Sequence, residues 1–173
     1  MPTVRHLAGV LAATTLSLAV SAHAATWRWQ YAGTGIAASG TFITGDTPDA
    51  DGFYAITAIT GSRNGVAITG LQPAGSAIPG NDPYAVDDLV SSAGPQLTWN
   101  GFGYALADGS FANAFSDGSI ALEYLSVPPY PEGTGQELAV TFQAAQVPEP
   151  AAAWLSLAGL AGVAALRRAR RPR

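Results

Sequence analysis

The sequence predicts an all-β fold, either an antiparallel β-sandwich or a barrel-like domain. One observation behind this prediction is a series of dipeptides that favour tight turns: Asp51-Gly52, Asn64-Gly65, Asn100-Gly101, Asp108-Gly109 and Asp117-Gly118. Each joins a residue that tolerates positive φ to a glycine, as hairpin turns require. A second observation is that short runs rich in threonine, isoleucine, valine and aromatic residues lie between these turns. Runs of that length and spacing are typical of antiparallel sheets.

The predicted strands cover residues 26–31, 40–44, 53–60, 66–71, 96–99, 102–106, 120–125 and 137–143. In the first of them the aromatic residues Trp27, Trp29 and Tyr31 occupy every second position, so they share one face of the strand. Packing of that face on the core is the usual outcome for aromatic side chains. An exposed platform for sugar rings is the alternative, and it makes these three residues candidate carbohydrate contacts.

The N-terminal segment, residues 1–24, has the features of a secretory signal peptide. Arg5 precedes an apolar run of 14 residues from Leu7 to Val20, and small residues follow at Ala22 and Ala24. The run is short for a helix that must cross a hydrocarbon core of about 30 Å. We therefore expect a signal helix that is removed by cleavage between Ala24 and Ala25.

The C-terminal segment has a different pattern. Residues 151–166 are apolar, and residues 167–173 hold five of the eight basic residues of the chain: Arg167, Arg168, Arg170, Arg171 and Arg173. Because basic residues beside an apolar run stay on the cytoplasmic side, we expect a short transmembrane helix whose arginines act as a cytoplasmic stop. This helix would hold the precursor in the inner membrane.

The body between these segments, residues 25–146, is strongly acidic. It contains two arginines against eleven acids, a net charge of −9, although the whole chain carries only −4. Such a surface repels nucleic acid, so nucleic acid is not an expected partner. The chain has no cysteine, and both of its histidines precede residue 25. The body therefore lacks most general bases, metal-ligand sets and covalent nucleophiles, and we predict no catalytic residues in it.

A candidate calcium site is the one cofactor prediction. The segment from Asp46 to Gly52 resembles part of a calcium loop, because Asp49 and Asp51 stand two residues apart and a glycine follows. The segment does not complete the EF-hand pattern, since Ala58 stands where a bidentate glutamate would close the site. An acidic turn between two strands explains the same residues.

The tail, residues 147–173, closely resembles the PEP-CTERM sorting signal of Gram-negative bacteria that produce exopolysaccharide. The resemblance rests on Pro148-Glu149-Pro150, on the apolar run and on the arginine cluster, in that order. It implies that an exosortase recognises Pro148, Glu149 and Pro150 and cleaves near them. It also implies delivery of the body to the cell surface or the extracellular matrix.

Two functions follow for the body. The favoured one is a non-catalytic surface or matrix protein whose body contacts exopolysaccharide, other proteins of a biofilm matrix or no specific ligand. The alternative is a secreted polysaccharide hydrolase that works through a pair of carboxylates, the only common catalytic route that the composition leaves open.

Overall fold

The computed structural model describes residues 24–148, which form nine β-strands and, within that range, no helix. The strands are β1 (Ala25–Gly33), β2 (Ile36–Thr44), β3 (Phe53–Arg63), β4 (Val66–Leu71), β5 (Leu89–Ser91), β6 (Phe102–Leu106), β7 (Phe111–Ser116), β8 (Ala121–Ser126) and β9 (Gln136–Gln146). Among these residues no helix is long and apolar enough to cross a membrane. The predicted signal helix and transmembrane helix lie outside the described residues.

Eight of the strands form a closed antiparallel barrel. The ring runs β1-β2-β3-β4-β6-β7-β8-β9 and returns to β1, and it closes where β1 pairs with β9 from Trp27↔Gln146 to Gly33↔Val140. The short strand β5 stands outside the ring and pairs with the start of β3. The prediction of an all-β domain is therefore confirmed, and a barrel, not a sandwich, is the architecture.

The predicted strands and turns agree with the structure in most places. Strands β4 and β6 have the predicted bounds, and Asn64-Gly65 forms the two-residue turn between β3 and β4, with positive φ at both residues. The predicted strand at 96–99 and a hairpin at Asn100-Gly101 are wrong, because β6 pairs with β4 and β7 instead. Strands β5 and β7 were not predicted.

Aromatic side chains fill the centre of the barrel. Trp29 stacks on Phe42 at 5.2 Å between ring centroids, and Phe42 meets the edge of Phe102 at 4.9 Å. Offset and edge-to-face pairs of this kind add to the stabilisation that burial of apolar area supplies. Strand β1, at the seam of the ring, therefore directs its aromatic face inward.

Strands β2 and β3 approach each other unusually closely at one point. Gly40 pairs with Gly61, and a Cβ on Gly40 would lie 1.8 Å from the carbonyl oxygen of Thr60. A Cβ on Gly61 would meet the carbonyl oxygen of Ser39 at 2.2 Å. Only glycine fits at both positions, so this pair allows β2 and β3 to lie side by side within the ring.

The long segment between β4 and β6, residues 72–101, covers the outer face of β6, β7 and β8. Gly103 leaves room for it, since a Cβ there would come within 3.0 Å of Ile78, Gln72 and Val86. The Tyr124 hydroxyl on β8 donates a hydrogen bond to the carbonyl of Gly80 at 2.8 Å. The barrel wall is therefore buried on both sides beneath this segment.

Candidate functional site

The point at which the chain leaves the barrel is defined by its last strand. β9 ends at Gln146, and the Val147 amide still donates to the carbonyl of Thr26 at 2.8 Å. Ala25, the expected first residue after signal cleavage, begins β1 and pairs with Thr44. Both ends of the barrel domain thus lie at the same end of the barrel. Glu149, Pro150 and the five arginines of the predicted stop lie outside the described residues, so Pro148 is the last sorting residue that the structure describes.

The aromatic face of β1 does not form a carbohydrate platform. Trp27, Trp29 and Tyr31 are all buried inside the barrel, with at most 2% of each residue exposed. Trp29 contacts four other aromatic rings there, and its indole N–H has no hydrogen-bond partner. The prediction of carbohydrate contacts at these residues is wrong, because the alternating pattern directs them to the core.

A cluster of four polar side chains lies within the barrel near the opposite end from the tail. Arg63 donates two hydrogen bonds to Glu123, from Nε to Oε2 at 2.8 Å and from Nη2 to Oε1 at 2.5 Å. The Tyr31 hydroxyl donates to Oε2 of Glu123. Because its one proton is used there, the Tyr104 hydroxyl donates to the oxygen of Tyr31. Only 1% of the Glu123 side chain is exposed.

The electrostatics of this cluster follow from burial and from the ion pair. Burial raises the pKa of Tyr31 well above its ordinary value, and the neighbouring Tyr104 and Glu123 raise it further. Burial likewise raises the pKa of Tyr104. The hydrogen bonds to Glu123 raise the pKa of Arg63. Both tyrosines thus stay neutral donors, and both oxygens of Glu123 are occupied by protein groups.

The cluster is suited to hold strands together and poorly suited to catalysis. It joins β1, β3, β6 and β8 across the barrel interior, and its carboxylate is fully hydrogen-bonded. A general acid or base must reach a substrate atom at hydrogen-bond distance. Enclosure of Glu123 prevents such contact in this conformation.

The acidic loop between β2 and β3 has local hydrogen bonds of its own. Oδ1 of Asp49 accepts from the amides of Asp51 at 3.0 Å and Phe53 at 2.9 Å, which is the arrangement of an acidic turn. Across residues 24–148 no group of three or more histidine, cysteine or acidic side chains is placed to hold a metal ion.

Calcium binding through Asp49 and Asp51 stays a prediction. If it occurs, the thermal midpoint in millimolar calcium should exceed the midpoint in chelator by several degrees, because a ligand of the native state stabilises it. The variant Asp49→Asn/Asp51→Asn should then show no difference between the two conditions. Equal midpoints for the parent would contradict the prediction.

Sequence reasoning missed Glu123 and its partners. One signal was present: Glu123 alternates with Ala121 and Leu125, so it shares a strand face with apolar residues. Leu122 and Tyr124 make the other face apolar as well, and the segment at 77–85 packs on it at Tyr124. With two apolar faces, the sequence does not indicate which one points into the barrel.

The fold and the position of its ends define an all-β barrel protein whose last strand runs straight into a C-terminal segment. Residues 146–171 of the chain match the family of PEP-CTERM protein-sorting motifs. The chain therefore carries a PEP-CTERM protein-sorting motif at residues 146–171, as the tail predicted. The motif indicates an exported surface protein that an exosortase processes. No curated protein and no solved structure matches the chain.

Proposed function

We propose that this chain is a non-catalytic surface or matrix protein, displayed by exosortase processing, whose barrel associates with exopolysaccharide. The observation that carries the proposal is the sorting motif itself, which begins at the last residue of the barrel. The barrel is thus the part that would be delivered. Its dense aromatic interior and closed ring suit a stable module that works outside the cell.

The geometry supports processing close to the folded barrel. Only Val147 separates the end of β9 from Pro148. The two prolines favour an extended segment that cannot continue a strand ladder on both sides. An exosortase that recognises Pro148-Glu149-Pro150 must therefore work directly beneath the barrel end that carries Ala25 and Gln146.

No specific observation favours the polysaccharide hydrolase. Such enzymes place two carboxyl groups on either side of the glycosidic bond. The deeply buried carboxylate of Glu123 instead pairs with Arg63 and Tyr31, and no second acid among the described residues bonds to it. A non-catalytic role is therefore the proposal that we retain.

Two different alterations of the tail should have different effects on where the protein is found. Replacement of Pro148, Glu149 and Pro150 with alanine should leave a full-length precursor in the membrane, because the apolar run and its arginines still insert. Deletion of residues 151–173 should release the barrel into the periplasm or the medium. Fractionation and immunoblotting in the native host would measure both results.

Replacement of the five tail arginines with glutamine serves as the matched control. It should weaken membrane retention and orientation while the Pro-Glu-Pro element stays intact. Processing and surface display of the alanine variant at the level of the parent would refute recognition of Pro148-Glu149-Pro150.

A further inference from the structure

A groove of about 310 Å³ crosses the outer face of the barrel. Its floor consists of outward-facing side chains from β7, β8 and β9: Asn113, Phe115, Leu122 and Glu137. One wall comes from the bend at Asn81–Tyr84, and the other comes from the turn at Trp99–Asn100. The volume falls at the small end of the roughly 300 to 1,000 Å³ typical of ligand sites.

Each wall carries a large aromatic residue that faces solvent. Trp99 is 64% exposed and Tyr84 is 61% exposed, whereas Trp27 and Trp29 are buried. Exposure of such large rings forgoes the stabilisation that burial would supply. Two exposed aromatic residues that line one groove indicate a surface that a ligand covers.

The walls are held in place by hydrogen bonds. Nδ2 of Asn113 donates to the carbonyls of Asn100 at 3.0 Å and Phe102 at 3.1 Å, which fixes the Trp99 turn to the groove floor. Within that turn the Gly101 amide donates to Oγ1 of Thr98 at 2.8 Å. On the other wall the Tyr84 amide donates to the carbonyl of Asn81 at 2.9 Å. A groove whose walls are fixed in advance loses little entropy when it binds.

The charged groups of the groove are all acidic. Of the described residues that line it, Asp117 and Glu137 carry carboxylates and none is basic. Oδ1 of Asp117 accepts from the amides of Ser119 and Ile120, both at 2.8 Å, which leaves Oδ2 for other donors. Carboxylates without a nearby cation repel anionic ligands and accept hydrogen bonds from hydroxyl groups.

We propose that this groove binds an uncharged oligosaccharide, with sugar rings against Trp99 and Tyr84 and hydroxyl groups donating to Asp117 and Glu137. A sugar ring presents an apolar face and a rim of hydroxyl donors, which matches aromatic walls and an acidic, amide-lined floor. This inference rests on the proposed association with exopolysaccharide and names the ligand class and the site. A polysaccharide rich in uronic acids does not fit, because its carboxylates would meet Asp117 and Glu137.

Titration calorimetry on the full-length protein in a zwitterionic detergent, which has no sugar headgroup to compete, tests the proposal. The probes are the neutral oligosaccharides cellohexaose, maltohexaose and N-acetylchitohexaose, with hexagalacturonate as the anionic probe. We expect at least one neutral probe to bind in the micromolar to millimolar range and hexagalacturonate not to bind. Trp99→Ala should weaken that binding by at least about tenfold, the usual effect of removing an aromatic anchor, and Tyr84→Ala should weaken it as well.

Val127→Ala is the matched control, because Val127 is an apolar residue outside the groove and is 52% exposed. It should bind like the parent. Absence of binding to every neutral probe, unchanged binding by Trp99→Ala, or equal binding of hexagalacturonate would overturn the proposal.

A cross-link from position 99 to a second protein in the native matrix, persisting after glycan digestion, would also overturn it and indicate a protein partner. A comparison of surface display and matrix retention between the parent and Trp99→Ala distinguishes the proposed function from the proposed groove. If the parent is sorted and retained in the matrix while Trp99→Ala is retained equally, the groove assignment fails and the proposed function stands.

Discussion

Replacement of Glu123 with leucine should destabilise the barrel by about 3 to 5 kcal/mol, the usual cost of breaking a buried ion pair on one side. The substitution leaves the Arg63 guanidinium, whose side chain is only 11% exposed, without its carboxylate. It also removes the acceptor of the Tyr31 hydroxyl. Urea unfolding of residues 25–148, followed by tryptophan fluorescence, would measure the loss.

The double variant Arg63→Met/Glu123→Leu should recover much of that loss, because replacement of both partners by apolar groups leaves no buried charge. Arg28→Met is the matched control, since Arg28 is the other arginine of the barrel and is exposed on β1. It should change the free energy of unfolding by less than about 0.5 kcal/mol. A double variant as unstable as Glu123→Leu alone would show that the ion pair is not the source of the effect.

Replacement of Asp88 with asparagine should stabilise the barrel above pH 7 and leave it nearly unchanged near pH 4. The pKa of Asp88 is raised from 3.8 to about 7, mainly by burial and in smaller part by the charge of Asp87. Only 3% of Asp88 is exposed, and within residues 24–148 its side chain accepts one hydrogen bond, a long one of 3.4 Å from the Gly103 amide. The carboxyl group is therefore poorly compensated once it ionises.

The direction of this pH dependence follows from the protons that the native and unfolded states bind. Between pH 3.8 and about 7 the native state holds the Asp88 proton and the unfolded state does not, so the parent loses stability as the pH rises across this range. The stability that the parent loses across this whole range is at most roughly 4 kcal/mol. Asparagine carries no charge, and it tolerates the positive φ of 54° at this position.

Unfolding of the parent and of Asp88→Asn by urea at a series of pH values would measure the effect. The exposed Asp51 provides the control, because Asp51→Asn makes the same change in net charge without relieving a buried carboxyl group. Identical pH profiles for the parent and Asp88→Asn would rule out ionisation of Asp88 as a source of pH dependence.

The sequence was most informative where one local signal had one structural solution. Asn64-Gly65 fits a two-residue turn between alternating strands, and the structure has that turn. Asn100-Gly101 consists of the same two residue types but lies in a different environment. A Cβ on Gly101 would lie 1.9 Å from the carbonyl oxygen of Ala114, and the Gly101 carbonyl accepts from the amides of Asp87 and Asp88. Glycine is needed there for close packing between distant segments, which no dipeptide reveals.

The features that sequence reasoning missed depend on distant contacts. Strand β7, Phe111–Ser116, contains two alanines and an asparagine, which are weak strand formers, and its neighbours β6 and β8 hold it in the ring. Arg63 and Glu123 are 60 residues apart, and Tyr31 and Glu123 are 92 apart. The two walls of the groove likewise converge only when the segment at 72–101 packs on the barrel.

The seam between β1 and β9 also sets the order in which the protein folds during export. The ring closes only when residues 140–146 pair with residues 27–33, contacts that join the two ends of the barrel sequence. Contacts of such long range form late, because loop closure costs entropy before any pairing energy is gained. Residues 136–140 can cover the edge of β8 first, but β1 presents an open edge until residues 140–146 have also emerged from the translocation channel. Because the sorting motif begins at Gln146, we expect the barrel to close only when the start of the motif has also emerged.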